Sequence, residues 1–384
     1  APFTVTLPAG TAGDVIAFAD YAATWQTNNL TVSPNGSEKI GSVNADAVLS
    51  TEGQSVTFVY VDSTQGWINT MDSTSNVRGQ PPFICASVSG ACNTLVTAPD
   101  CANMKVATFT GPGTFTVNRV AICAADNVVS HVVVAGGGGS GTAGAGGGGA
   151  GGYREVVSPS SPYTGSPLNG YPSAPNRITV TAAAFPITVG GGGAGLPVPT
   201  PIPGAGGARG SSAIFSTITS TGGGGSPSQT EAITPTAPGG SGAGIGKSGT
   251  GPAGAGNTPP VSPAQGTNGG GNGPVVGGGG GGAGGAGTAG NPAIGGAGTT
   301  SSINGTLTAR AGGGGGGSDS TCFSGGPAHP GGGGGGQGGN RPDTNSTNGT
   351  SNTGGGAGGT GEAATPGTQR NGGSGIVIIR YKFQ

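Results

Sequence analysis

Charge is what this chain has least of. Lys, Arg, Asp and Glu make up 7% of its 384 residues, against about 25% in ordinary domains. The formal net charge is −1, so no electrostatic footprint points to nucleic acid or to an anionic membrane. Aromatic residues are also scarce, at 5%. No apolar run approaches the ~20 residues of a membrane-spanning helix. There are two histidines, His131 and His329, and no Cys-x-x-Cys knuckle, so neither a catalytic triad nor a zinc site is evident. Carboxylates are too sparse to form an acid/base pair. An enzyme is therefore not expected, and no cofactor is implied. No secretory leader is visible and the chain starts at Ala1, which reads as a processed or truncated start.

Glycine fills the space. All but ten of the 92 glycines lie in residues 136–375. They come in bursts, at 136–139, 146–149, 190–193, 222–225, 277–282, 312–317 and 331–336. The tract opens behind Val132-Val133-Val134-Ala135 and closes in front of Ile376-Val377-Ile378-Ile379-Arg380. Collagen is excluded because it needs glycine at every third position. A silk-like cross-β stack fits poorly with short bursts and frequent proline. A bundle of polyglycine-II helices fits best. Each is an extended helix of three residues per turn rising ~3.1 Å per residue, without internal hydrogen bonds. Every buried N–H and C=O must then find a lateral partner. Only glycine lets neighbours approach from all sides, which explains glycine at consecutive positions. Fixing a residue costs about 1–2 kcal/mol and a hydrogen bond returns about 0.5–1.5 kcal/mol net, so order requires that most helices be surrounded.

The segments between bursts then become turns at the two ends of the bundle. The main ones are 153–176, 197–203, 226–238, 257–265, 318–330 and 340–353. The first holds Tyr153, Tyr163 and Tyr171, the densest aromatic group in the tract. These three, with Asn169 and Asn176, are the candidate contact residues, since Tyr offers amphipathic contact area at low entropic cost. Successive antiparallel helices send alternate turns to the same side, so this loop and alternate later turns are expected to share one end. Residues 178–181 and 185–189 read as a short hairpin after it. The flanking runs 132–135 and 376–380 are expected to be neighbouring strands.

Residues 1–75 read as a small β-module of about five strands. The clearest is 56–61, with Val56, Phe58 and Tyr60 on one face. Residues 76–135 read as a second β-module, with a hairpin over 109–117 around Gly111-Pro112-Gly113. His131, before the valine run, reads as structural. This segment holds Cys85, Cys92, Cys101 and Cys123, which allow three disulfide connectivities. Nearest-neighbour bridges, Cys85–Cys92 and Cys101–Cys123, are expected in an oxidising exterior. Cys322 is left over as an unpaired thiol. Gly246-Lys247-Ser248 superficially matches the end of a phosphate loop, but Ser241 stands where that signature wants glycine, with no strand before it or helix after. The Asn-x-Ser/Thr sequons at Asn304 and Asn345 are what Asn- and Thr-rich loops generate by chance.

The motifs also carry a resemblance. Asp20-Tyr21-Ala22, Thr27-Asn28-Asn29-Leu30-Thr31-Val32 and the run from Phe58 to Trp67 resemble the β-modules of tailed-phage fibres and neck appendages. Val133-Val134-Ala135 with its glycines, Gly151-Gly152-Tyr153-Arg154-Glu155, Phe185-Pro186-Ile187-Thr188-Val189 and the segment from Gly373 to Tyr381 resemble glycine-rich tail-fibre proteins and receptor-binding phage adhesins. The likeness implies an extracellular virion appendage that assembles as a homotrimer and joins other tail proteins. It also implies binding of a host cell-surface receptor, protein or glycan, through loops at the end of a polyglycine-II sandwich. A purely structural fibre or decoration protein is the alternative, and a secreted silk-like matrix protein a weaker one.

The fold class expected is thus all-β amino-terminal modules followed by a glycine-rich polyglycine-II bundle, closed by a carboxyl-terminal strand, with essentially no α-helix. The expected domains are 1–75, 76–135, 136–375 and 376–384.

Overall fold

The computed structural model describes residues 2–73, 83–197, 205–229, 237–319, 333–364 and 369–384. The expected turns at 197–203, 226–238 and 318–330 fall largely outside these residues, as do Cys322, His329 and the start of the burst at 331–336. The chain divides into two compact units, 1–81 and 82–384. It is all-β; the described helical segments are the 3-10 turns Ala124–Asn127 and Ala174–Asn176.

Among its described residues the first unit has six strands: β1 (Phe3–Thr6), β2 (Val15–Ala19), β3 (Leu30–Ser33), β4 (Ala47–Leu49), β5 (Ser55–Asp62) and β6 (Gly66–Ser73). They form two three-stranded sheets, ordered β1-β3-β4 and β2-β5-β6. The alternation expected in β5 holds: Val56, Phe58 and Tyr60 are buried with Leu7, Trp25, Leu30, Val32, Leu49 and Trp67. Tyr60 and Trp67 meet edge to face with ring centroids 5.5 Å apart, a geometry aromatic quadrupoles favour.

The second unit holds β7 (Cys85–Ser89), β8 (Thr94–Ala98), β9 (Cys101–Phe109), β10 (Gly113–Arg119), β11 (Val128–Val134), β12 (Tyr153–Val156) and β13 (Ile178–Thr179). It continues through β14 (Ala184–Thr188), β15 (Ala213–Phe215), β16 (Ile218–Ser220), β17 (Thr299–Ser301), β18 (Thr308–Arg310) and β19 (Ile376–Lys382). One sheet runs β16-β15-β14-β10-β7 and another β12-β11-β19-β9-β8, with β13 also on β11; β17 and β18 form a hairpin. As expected, the strand that enters the glycine tract pairs with the strand that leaves it. β11 and β19 are antiparallel neighbours, with Val134 opposite Ile376 and Ser130 opposite Arg380. Val129, Val133, Val377, Ile379 and Tyr381 pack with Phe115, Val117, Ile187 and Phe215 from the other sheet. Their alternates Val132, Val134, Ile376 and Ile378 pack with Tyr153, Ala283, Ile303 and Ala311. A sheet covered on both faces needs apolar residues at both parities, which is why the two strands read as unbroken Val and Ile runs.

Three expectations are corrected here. Residues 76–135 are not a module of their own, because β9 pairs with β19 and β10 with β14, across more than 250 and about 70 positions of chain. Residues 109–117 and 178–189 are not hairpins: in each case the two strands belong to different sheets, so the turns carry the chain between layers. Cys85, Cys92, Cys101 and Cys123 are all free thiols. Cys85 opens β7 and Cys92 lies beyond its other end. At about 3.3 Å per residue that strand holds the two apart by more than the ~7 Å a disulfide can span.

The glycine tract is the expected polyglycine-II bundle, and its hydrogen bonds show the three-fold screw. Gly136 and Gly139 donate to Ser211 and Ala208, and Gly137 and Ser140 donate to Gly373 and Arg370. Each pair is three residues apart and addresses one neighbouring segment. In the burst at 277–282, Gly277 and Gly280 donate to Gly317 and Gly314, Gly278 and Gly281 to Ile245 and Gly242, and Gly279 and Gly282 to Thr288 and Gly285. Its carbonyls accept from Gly147 and Ala150, from Gly270 and Thr267, and from Gly296. Six segments therefore surround one helix, three as acceptors and three as donors. A Cβ built on Gly280 would overlap the carbonyl oxygen of Gly148, and one on Gly313 would overlap that of Gly280. The lattice spacing is set by the missing side chain.

Candidate functional site

The loop at 157–176 leaves the bundle at the end where β11 and β19 meet it. Loops 258–265 and 299–310 join it there; they are not the alternate turns of the expected set, in which 226–238 and 318–330 would share this end. Ser302 N donates to Thr164 O at 2.9 Å, and Thr164 N donates to Ser302 Oγ at 3.0 Å. Asn176 Nδ2 donates to Ser262 O at 2.9 Å. Three segments, distant in sequence, thus form one platform.

Its frame is a buried polar network in a chain with few charges. Glu155, on β12, is buried. Its Oε2 accepts from Ser166 N at 2.8 Å and from the Ser166 hydroxyl; its Oε1 accepts from Ser301 Oγ at 2.7 Å. One carboxylate so ties the first loop to the β17–β18 hairpin. Buried Arg310 stands in the same group, where burial lowers its pKa and the neighbouring Tyr153, Glu155 and Tyr163 act against that. Arg380 is buried on β19; it donates to Asp100 Oδ1 at 2.8 Å and Ile303 O at 3.3 Å, and its guanidinium lies 5.9 Å from the Tyr163 ring centre. The hydrogen bond to Arg380 holds the Asp100 carboxyl below its ordinary pKa. Each such bond to a charged group contributes about 1.5–3 kcal/mol.

The five residues singled out from sequence separate into different roles. Tyr153 is 1% exposed and packs against the six-stranded sheet, so it presents nothing to a partner. Burial pushes its hydroxyl pKa up, and that of Tyr163 likewise. Tyr163 is half-buried and donates from its hydroxyl to Val156 O at 3.3 Å. Asn176, 5% exposed, is a fastener: its Nδ2 also reaches Gly170 O at 3.1 Å and its Oδ1 accepts from Arg154 at 2.5 Å. Asn169 Oδ1 accepts from Val157 N and Tyr171 N, both at 3.0 Å. Tyr171 lies under Arg177, 4.4 Å from ring centre to guanidinium carbon, and remains partly open to solvent.

What faces outward is different. Thr164, Pro167, Pro172, Ser173, Pro175, Pro259, Pro260, Ser262, Thr306 and Leu307 are exposed around the platform. Leu307, 63% exposed, is the large apolar side chain among them. Sequence reasoning missed Glu155, Arg310 and Arg380. Their signal was rarity: a charge beside a strand, in so neutral a chain, marks a place where the fold needs an ion.

Residues 109–382 match the model of the glycine-rich domain family. The chain belongs to that family. The matched segment runs from the last residue of β9 to the last of β19, so the glycine-rich domain includes its closing strands as well as its bundle. No curated protein matches the chain.

Proposed function

We propose that this protein is a tail-fibre or tail-tip adhesin of a tailed phage, which holds a host cell-surface receptor against the platform formed by loops 157–176, 258–265 and 299–310. The observation that carries this reading is the platform itself. Three distant loops are fixed to one another on a rigid bundle, with neutral Pro, Ser and Thr side chains outward and their charges turned inward. A site held by such a frame loses little entropy when it binds. In this reading the first unit joins the fibre to other tail proteins, the assembly is a homotrimer, and no catalytic step or cofactor takes part. The test exchanges 158–175 together with 258–265 and 299–310 for unrelated loops and measures adsorption and host range of the resulting particles. Unchanged adsorption and range would remove the proposal.

One observation favours a purely structural fibre. Tyr153, Asn169 and Asn176 direct their contacts inward. That reading expects particles with exchanged loops to adsorb normally.

A further inference from the structure

The segment Gly246-Lys247-Ser248, which only superficially resembles a phosphate loop, ends at the other end of the bundle. Lys247 is the one buried lysine of the chain's four, 7% exposed. Its Nζ is in direct contact with Asp319 Oδ2, and Glu362 Oε1 lies 3.1 Å away. Glu362 is held from its other side by Arg341, at 2.8 Å from Oε2. An amine, a carboxyl group that can receive it and a second carboxylate within proton-transfer distance thus converge from three segments.

We propose that Lys247 and Asp319 become joined by an intramolecular amide bond, with Glu362 as the catalytic residue that moves the protons. Glu362 takes a proton from the Lys247 ammonium. The freed amine attacks Cγ of Asp319, and the C–N bond forms. Glu362 passes its proton to the departing carboxyl oxygen, accepts the second nitrogen proton and delivers that one to the same oxygen, ending as a carboxylate again. The C–O bond breaks and one water leaves. Ammonium plus carboxylate becomes amide plus water, with no change in oxidation state and no further reactant.

Position and environment both favour the step. Each segment is fixed by backbone bonds: Lys247 N donates to Gly144 O at 2.9 Å, Asp319 N to Val275 O at 3.1 Å and Glu362 N to Ser318 O at 3.1 Å. The lysine stem packs over Gly144, where a side chain would have met it, and Asn272 Nδ2 donates to Lys247 O at 3.3 Å. Groups held this way reach effective concentrations of about 10⁵–10⁸ M when aligned. The Lys247 amine is itself shielded, with 8% of its side chain exposed, which limits the access of water to the bond it would form. The product is neutral, so it relieves the desolvation cost of the buried Lys247 ammonium. The bond would lock together bundle segments whose backbone contacts are otherwise all non-covalent.

The test is intact-mass spectrometry of the denatured full chain, followed by sequencing of its proteolytic peptides. The expected mass is one water below that of the sequence, with a branched peptide joining the Lys247 and Asp319 segments. Lys247→Arg and Asp319→Ala should each restore the sequence mass, and Glu362→Gln should do so while both reacting groups remain. A wild-type chain at the full sequence mass would leave only an ion pair and overturn the proposal. A water loss that persists in Lys247→Arg would overturn it as well, since the loss would then arise elsewhere.

Discussion

Replacing Gly280 by alanine tests the lattice at its centre. Gly280 N donates to Gly314 O at 2.8 Å, and Gly280 O accepts from Gly296 N at 2.7 Å. The new methyl group would overlap Gly148 O, which is itself the acceptor for Gly314 N at 3.0 Å. Neither neighbour is a flexible side chain, so backbone must move. Overpacking of this kind costs about 1–3 kcal/mol. A buried N–H that loses its acceptor costs about 1–3 kcal/mol more. The alanine returns about 0.4–1 kcal/mol by restricting the unfolded chain. The net expected loss is therefore about 2–5 kcal/mol. Gly191→Ala is the control, because that position is exposed and a Cβ there meets nothing within 4 Å. Urea unfolding of the two variants beside the parent chain is the assay, with stability taken from the midpoint at constant slope. Gly280→Ala should unfold at clearly lower urea and Gly191→Ala at the parent's midpoint or above. Equal midpoints would refute the claim that close backbone approach holds the bundle.

Other perturbations have defined outcomes. His131 is buried against Phe215, with ring centres 5.8 Å apart, and burial pushes its pKa down to about 3. The unfolded chain binds a proton near pH 6.5 that the folded one refuses, so this group's stability contribution is complete above that pH. It is lost as pH falls from about 6.5 towards 3, by up to ~1.4 kcal/mol per pH unit; His131→Phe should flatten that part of a stability–pH profile. Asp100→Ala strands the buried Arg380 guanidinium and should cost about 3 kcal/mol in chemical unfolding, whereas Arg380→Met should cost less, because the Asp100 carboxylate left behind reaches solvent. The buried Tyr153 hydroxyl makes no hydrogen bond of good geometry among the described residues, so Tyr153→Phe should leave the stability measured by thermal unfolding unchanged or raise it by up to about 1 kcal/mol. A clear loss would show that a water or a neighbour satisfies that hydroxyl.

Much of the architecture is legible along the chain. The alternation Val56, Phe58, Tyr60 locates a half-buried strand. The unbroken runs of Val at 132–134 and of Ile and Val at 376–379 mark strands covered on both faces, and their position at the two ends of the glycine tract foretells their pairing. The turns at 109–117 and 178–189 misled because a hairpin and a crossover between layers use the same local turn chemistry. The nearest-neighbour cysteine pairing failed because sequence distance does not report that β7 separates Cys85 from Cys92. Tyr153 was misplaced because an aromatic after a glycine burst reads as a loop residue, yet β12 carries it into the sheet.

What the sequence determines alone is the kind of order available. Consecutive glycines permit one extended helix to be approached from six sides, and scarcity of charge and aromatics leaves the backbone to supply most contacts. What only the tertiary structure decides is which segment lies beside which. A polyglycine-II helix presents nearly the same row of N–H and C=O groups to every neighbour, so it carries no side-chain code for partner or register. The choice falls to the strands and loops at the ends, to β11 against β19, to Glu155 between Ser166 and Ser301, and to Lys247 between Asp319 and Glu362. Those contacts join residues as much as 250 positions apart, as between Ser130 and Arg380, and appear only once the chain has closed.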